Sequence, residues 1–306
     1  MVSAASSRER YLAYRRSLPG AVRATRQTVT VDGLAFAVWT TPPVEGAVPL
    51  LCINGGLIHG HQLLWPALSP LARRRQLVLY DQRGRGDSEG PPNPAAARIE
   101  HDADDVPALR VALGLSRWDV LGHSWGGGVA ALAAERDRRG IRRLVLVDAV
   151  GPDSSWMSTI RDTALARLPA AQRVVLERLD ARMLRDADPA IHSAYSRALY
   201  PAWFSDPDLA QAFAPPRSES ETGSSVASRL HREGYDWRRC LGAIEARTLV
   251  LHGERDLLSP AIAHELSALV SQARLELIPG CGHMPFWEQP ETFFEIVDSF
   301  LSALAP

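Results

Sequence analysis

Five residues, Gly122-His123-Ser124-Trp125-Gly126, constrain this chain more than any other stretch. They fit the pattern G-x-S-x-G, in which a strand turns abruptly into a helix and leaves a serine hydroxyl exposed at the apex. Such a turn forces the serine into a strained backbone, so the residues two before and two after it must be small enough for strand and helix to pass closely. Gly122 and Gly126 meet that need. Three fixed residues in five make a weak pattern alone, and the flanks supply the confirmation. Arg117 to Gly122 contributes Trp118, Val120 and Leu121 as a short apolar strand, and Gly127 to Arg138 reads as an alanine-rich helix.

A serine hydroxyl is a poor nucleophile unless an imidazole takes its proton and a carboxylate orients and stabilises that imidazole. The order Ser, then Asp, then His is the one that a strand-turn-helix serine of this kind uses. Arg247 to His252 is an apolar strand with Asp256 just past its end, and Arg274 to Ile278 is the last strand, with His283 just past it. Ser124, Asp256 and His283 are therefore expected together at the carboxyl edge of one sheet. Asp148, at the end of the strand Arg142 to Val150, is the reserve acid, and the turn around Glu254 points that residue outward. Two backbone N–H groups must also face the developing oxyanion. The loop Asn54-Gly55-Gly56-Leu57 follows the buried strand Pro49 to Ile53, so Gly56 is expected to supply one and Trp125, next after the serine, the other.

Around these residues strands and helices alternate, which argues an α/β fold with a mostly parallel central sheet and helices on both faces. Thr28 to Asp32 and Leu34 to Thr40 flank Asp32-Gly33 and predict an antiparallel hairpin at the sheet edge. Arg75 to Tyr80 is a further strand, Glu100 to Gly114 an amphipathic helix, Pro260 to Val270 another helix and Pro290 to Leu304 the closing one. Arg8 to Leu18 predicts a short helix ending before Pro19-Gly20. After Gly151-Pro152 the pattern changes: helices are expected at Met157 to Leu168, Ala170 to Asp186, Pro189 to Leu199 and Glu219 to Arg232, with no buried strand before about Cys240. Residues 1–151 and 241–306 thus form the α/β core, and 152–240 a helical cap inserted in it. The cap aromatics Trp156, Tyr195, Tyr200, Trp203, Phe204, Phe213, Tyr235 and Trp237 are candidates to wall an apolar pocket.

Composition excludes other chemistries. The 306 residues carry 34 basic side chains, all arginine, against 35 acids, so no lysine is present for a Schiff base or a lysine nucleophile. A net charge of −1 and a pI near 6.8 give no broad attraction for nucleic acid or an anionic membrane. Cys52, Cys240 and Cys281 are odd in number and far apart, which suits reduced thiols better than a disulfide framework or a zinc site. His59 and His61 lack a third ligand at sensible spacing, so no metal is expected. Met1 to Pro19 has no apolar leader, no stretch matches a membrane span, and a cytoplasmic location is expected. Asp81 to Gly90 alternates glycine and arginine without the phosphate-loop pattern; it is expected to be a structural loop in which Asp81, Arg83 and Asp87 pair locally.

Taken together, these ordered motifs resemble the α/β-hydrolase superfamily over nearly the whole chain. More narrowly, Asn54-Gly55-Gly56, Asp81-Gln82-Arg83-Gly84 with Gly86 and Ser88, Gly122 to Gly127 and His283-Met-Pro-Phe-Trp287-Glu288 resemble the prolyl aminopeptidase (proline iminopeptidase) branch. That branch reads His-Gly-Gly-Pro-Gly at the oxyanion loop, where this chain has Asn54, Leu57 and Ile58 in place of the histidine, the proline and the last glycine. The resemblance implies a cofactor-free serine hydrolase that forms an acyl-enzyme on a small-molecule or short-peptide substrate. It also implies that cap carboxylates hold a substrate amine, for which Glu177, Glu219, Glu221 and Glu233 are available. Hydrolysis of an ester, lactone or thioester is the alternative, because the three reacting residues fix acyl transfer while a cap selects the substrate. A non-hydrolytic cyclase or a small-molecule receptor on the same fold is more remote. A dehalogenase or epoxide hydrolase would need a carboxylate at position 124.

Overall fold

In the computed structural model, which describes residues 6–18, 22–179, 181–213, 215–216 and 218–303, strands and helices alternate as the pattern requires. The strands are β1 (Thr25–Val31), β2 (Leu34–Thr40), β3 (Leu50–Ile53), β4 (Leu77–Tyr80), β5 (Trp118–His123), β6 (Ile141–Val147), β7 (Arg247–Gly253) and β8 (Ala273–Ile278). They form one eight-stranded sheet in the order β1-β2-β4-β3-β5-β6-β7-β8. β1 and β2 are antiparallel to each other, β2 is antiparallel to β4, and every other pairing is parallel. The hairpin turn is at Asp32-Gly33, both in left-handed backbone (φ 49 and 80), which is why Asp-Gly suits it. β1 begins at Thr25 rather than Thr28, because its ladder runs the full length of β2, from Thr25 opposite Thr40 to Val31 opposite Leu34.

Period-two alternation distributes the core over the two faces of the sheet. Leu51, Ile53, Val78, Val120, Leu144 and Val250 pack on one face against α2 (Ile99–Ala112), α3 (Trp125–Arg136) and α10 (Pro260–Leu269). Leu50, Cys52, Leu79, Leu121, Val145 and Leu249 pack on the other against α1 (Ser7–Ser17) and α12 (Pro290–Ser302). All four residues of β3 are buried, as a strand covered on both faces demands. Each such leucine or valine contributes roughly 1.5–3 kcal/mol of burial. α1 is closed at its start by a capping box between Ser6 and Glu9, and Tyr11 anchors it on Trp287 and Phe213. Pro19, Gly20 and Leu304, the expected helix limits at the two ends, lie outside the described residues.

Between β6 and β7 the chain is helical: α4 (Ile160–Arg167), α5 (Ala170–Arg178), α6 (Pro189–Leu199), α7 (Pro207–Ala212), α8 (Glu221–Glu233) and α9 (Arg238–Gly242). The expected helix from Ala170 to Asp186 is divided, since α5 ends at Arg178 and a separate 3-10 turn runs from Ala181 to Arg185. α7, capped by the Asp206 carboxylate, and α9 are too short to leave a periodic signal. Only part of this insertion has its own core, around Ala164, Leu168, Leu176, Leu199 and Ala202. α8, α9 and Trp237 instead share the main cluster through Val226, Leu230 and Leu241. Among the described residues no helix is long and apolar enough to cross a membrane. Cys52 and Cys281 are buried free thiols, and Cys240 is a half-buried one.

Candidate active site

β5 ends at His123 and α3 begins at Trp125, so Ser124 alone makes the turn. Its backbone is left-handed (φ 56), a conformation that a residue with a Cβ adopts only when its surroundings impose it. Here the Ser124 N–H donates to the Val147 carbonyl at 2.9 Å, and its own carbonyl accepts the Gly127 N–H at 2.9 Å. Both predicted glycines are needed: a Cβ on Gly122 would meet the Gly126 carbonyl, and one on Gly126 would meet the Ile53 carbonyl.

The two residues predicted to activate the serine come together. His283 Nδ1 lies 2.8 Å from Asp256 Oδ2, and both side chains are buried, as is Ser124 at 6% exposure. Asp256 also accepts the Leu258 N–H at 3.1 Å, which fixes its second oxygen. His283 is held by its backbone and by its ring. Its backbone N–H donates to the Trp203 carbonyl at 2.8 Å, the Trp203 ring stacks on it at 4.1 Å, and His123 Nε2 lies 2.8 Å from its carbonyl oxygen. Burial lowers the His123 pKa to about 3, so that ring is neutral and Nε2 donates.

Glu288 completes the loop around His283, a role that the sequence did not signal. Its carboxylate accepts the Gly282 N–H at 3.1 Å, the Met284 N–H at 3.1 Å, and the Ser205 N–H and hydroxyl at 2.9 and 2.7 Å. Burial raises its pKa against these four bonds. The residue is visible five places after His283, but nothing in the spacing says that it turns back under the loop. Arg167 on α4 likewise ties the insertion to the acid loop through the carbonyls of Arg255 and Asp256.

The opposite wall is the loop after β3. Gly55 lies directly against Ser124, since a Cβ there would stand 2.6 Å from Ser124 Cβ. Gly56 and Trp125, the predicted oxyanion donors, both line the same cavity as Ser124, and Trp125 is the first residue of a helix, where N–H groups have no partner within the helix. Asn54 braces the loop by donating from Nδ2 to the carbonyls of His59 and Gly55. His59 bridges to the insertion, with its ring nitrogens 2.8 and 3.0 Å from the hydroxyls of Ser218 and Ser196; burial lowers its pKa to about 4. His61 is bonded to Asp81 at 2.8 Å. Gly55→Ala is expected to lower kcat/KM by about 100-fold, since displacements of about 1 Å at a nucleophile have that effect. Steady-state kinetics on a chromogenic ester, with a thermal melt beside them, would check it; unchanged kinetics would show that the loop yields.

The Asp81 to Gly90 loop pairs differently from the expectation. Asp81 does accept the Asp87 N–H, at 2.8 Å. Arg83, however, reaches Asp105 on α2 at 2.7 Å, and Arg85 makes a two-pronged bond to Asp102 at 2.8 and 3.0 Å. The reason is that α2 packs beneath the loop and its buried carboxylates require partners. Both guanidinium groups are thereby occupied by protein.

A cavity opens over Ser124 and His283. Its walls are mainly apolar, with Leu57, Ile58, Val150, Met157, Ile160 and Leu184 among them; His192, Tyr195 and His231 add polar atoms on the insertion side, and His59 does so from the loop after β3. Of the eight cap aromatics, Trp156, Tyr195, Tyr200 and Trp203 line it. Phe204 and Phe213 pack with Tyr200, and Tyr235 and Trp237 stack on each other. No aspartate or glutamate occurs among the described lining residues. Glu177, Glu219, Glu221 and Glu233 are all exposed on the outer surface, with Glu233 paired to Arg229 at 2.9 Å. They stand at helix ends and solvent faces, where carboxylates keep their hydration, and not one lines the cavity.

With this geometry in view, comparisons with known proteins agree on the fold. A family model described as alpha/beta hydrolase fold matches residues 49–290. A proline iminopeptidase of Lactobacillus delbrueckii subsp. lactis is 26% identical over 297 residues, covering 89% of this chain and 98% of that protein. One from Clostridioides difficile strain 630 is 25% identical over 270 residues, covering 85% and 91%. Among solved structures, the proline iminopeptidase of Mycobacterium smegmatis superposes with a TM-score of 0.71 at 25% identity, covering 90% of this chain and 97% of that one.

Proposed function

The chain belongs to the alpha/beta hydrolase fold family, and from that membership we propose that it is a serine hydrolase acting on a small molecule through Ser124, His283 and Asp256. The observation that carries the reading is the left-handed Ser124 sharing one cavity with an imidazole that is already bonded to a buried carboxylate. His283 Nδ1–H donates to Asp256, so Nε2 is the basic nitrogen that takes the Ser124 proton as Oγ attacks the substrate carbonyl. The N–H groups of Gly56 and Trp125 receive the oxyanion. The imidazolium then protonates the leaving group as it departs. Water, deprotonated by His283, attacks the acyl-enzyme and releases the acid, returning the proton to the serine.

The helical insertion acts as a cap that selects the substrate, in the cytoplasm. Its apolar walls and lack of a described carboxylate favour an uncharged acyl group, so an ester, thioester, lactone or unactivated amide of an apolar acid is the substrate class proposed. A second reading is aminopeptidase activity on a short peptide, favoured by the similarity to proline iminopeptidases at 26% and 25% identity.

A matched panel separates the two: proline and alanine chromogenic amides with free and blocked amines, beside short-chain esters, each with wild type and Ser124→Ala. Ester turnover that is indifferent to an amine, and lost in the variant, is the expected result. Turnover confined to free-amine amides would replace the ester reading with the aminopeptidase one, and failure of a fluorophosphonate probe to label wild type would remove both. Glu177→Gln, Glu219→Gln, Glu221→Gln and Glu233→Gln are each expected to leave kcat/KM within about twofold, as surface changes do. A tenfold rise in KM for a free-amine substrate in any one would return that glutamate to the site.

A further inference from the structure

Asp148 stands immediately after β6 in left-handed backbone (φ 44) and is fully buried. Its Oδ1 accepts the N–H of Gly253 at 2.8 Å, joining the ends of β6 and β7. One ligand-type atom each from Asp148, Asp256 and His252 lie within 4.8 Å of one another, and Asp148 Oδ2 has no hydrogen-bond donor in reach. Two ionised carboxylates cannot share such a site out of water. His252 supplies no donor to the unpaired oxygen. Its Nε2 is 2.9 Å from the Leu258 carbonyl oxygen and so carries a hydrogen, its Nδ1 stands 3.7 Å from Asp148 Oδ1 and its Nε2 3.5 Å from Asp256 Oδ2, and burial lowers the pKa of the ring, disfavouring its charged form. Asp256 is committed as an acceptor to His283 and Leu258. The unpaired oxygen of Asp148 and the excess of buried negative charge are both resolved by a single proton.

We infer that Asp148 is a positioning residue that stays protonated at neutral pH and donates a hydrogen bond from Oδ2–H to the Asp256 carboxylate, fixing the acid that orients His283. The inference rests on Asp256 being the acid partner of His283. Burial pushes the Asp148 carboxyl well above the usual range, and the charges of Asp256 and Glu288 add to this. Burial acts on Asp256 in the same direction, but there His283, His252 and the hydrogen bond with Asp148 outweigh it and bring the pKa below the usual value. The pair therefore holds one negative charge, which the imidazolium formed in each acyl transfer can neutralise.

Unfolding exposes Asp148 to water, where a carboxyl ionises above about pH 4. A group whose folded pKa is raised contributes stability that is present at low pH and lost as pH climbs towards the folded value. Asp148→Asn keeps both hydrogen bonds, donating from the amide to Asp256, and cannot release that proton. Its Tm is expected to exceed that of wild type by a margin that widens between about pH 5 and about pH 8. A constant or negative margin overturns the inference whatever the activity. Infrared spectra should show a protonated carboxyl at neutral pH in wild type and lose it in Asp148→Asn; identical spectra also overturn it.

Kinetics supply the positioning readout. Asp148→Asn should keep kcat/KM within about threefold, and Asp148→Leu should lose about 10- to 100-fold, chiefly in kcat, as loss of an orienting partner does. Equal losses in the two variants, or none in the leucine variant, count against it, as does a cation that copurifies with wild type and is lost with the Asn change. If Asp256→Asn stays active while Asp148→Asn does not, Asp148 is itself the partner of His283, and the reading of Asp256 fails rather than the shared proton alone.

Discussion

Ser124→Ala is expected to lower kcat by about 10⁴- to 10⁶-fold on any ester that wild type turns over, with KM changed little. In the proposed mechanism the change removes the covalent route itself, leaving only the proposed oxyanion donors and binding to act on water. His283→Ala should cost a similar amount, and the double variant no more than either single one, because the groups act as a unit. Stability should change by less than about 0.5–1 kcal/mol, since alanine keeps the Cβ that the left-handed turn already accommodates. The deleted hydroxyl has no hydrogen bond on which the fold depends; the turn is held by backbone bonds from Ser124 to Val147 and Gly127. Pre-steady-state kinetics on a chromogenic ester, with an intact-mass search for the acyl-enzyme, would check it. A loss of less than tenfold with no adduct in wild type would exclude a serine nucleophile at this position.

The sheet and these residues were legible because steric rules speak locally. Gly122 is small for a reason contained within five residues, since a Cβ there would meet the Gly126 carbonyl, whereas Gly126 must clear the Ile53 carbonyl on β3; Asp256 follows the apolar run Leu249-Val250-Leu251, and His283 the alternating strand Leu275-Glu276-Leu277. Cap boundaries were less legible, because α5 and the turn at Ala181 to Arg185 differ by packing against other helices and not by any local stop signal. The partners of Arg83 and Arg85 were illegible for a related reason: which acid an arginine meets depends on how α2 lies beneath the loop, about 20 residues on. The same holds for Glu288, whose four bonds all come from backbone or side chains that only the folded loop brings near. The four cap glutamates show the converse: acids on a helix end are visible in sequence, but the side of the helix that faces the cavity is set by the packing of its neighbours.

Arg85→Met is expected to destabilise the protein by about 3–5 kcal/mol, the range found when one partner of a buried ion pair is removed. Both side chains of the Arg85–Asp102 pair are fully buried, so the variant leaves Asp102 charged without a partner or forces it to take up a proton. Arg85 also donates from Nε to the Leu57 carbonyl at 2.7 Å and from Nη1 to the Arg83 carbonyl at 2.8 Å. Each of those acceptors, left dry, adds about 1–3 kcal/mol unless the loop shifts to let water in. Arg85→Met with Asp102→Leu should recover part of the loss, because two apolar side chains carry no desolvation penalty, but the Leu57 carbonyl remains unpaired and recovery stays incomplete. Urea melts of the three variants and wild type would give the coupling directly; a single change that costs under 1 kcal/mol would mean that the pair is not buried in solution. The same cycle links the pair to catalysis. Leu57 follows Gly56, so if Arg85 fixes the oxyanion loop, the double variant should regain stability without regaining kcat, whereas parallel recovery of both would assign Arg85 to the fold alone.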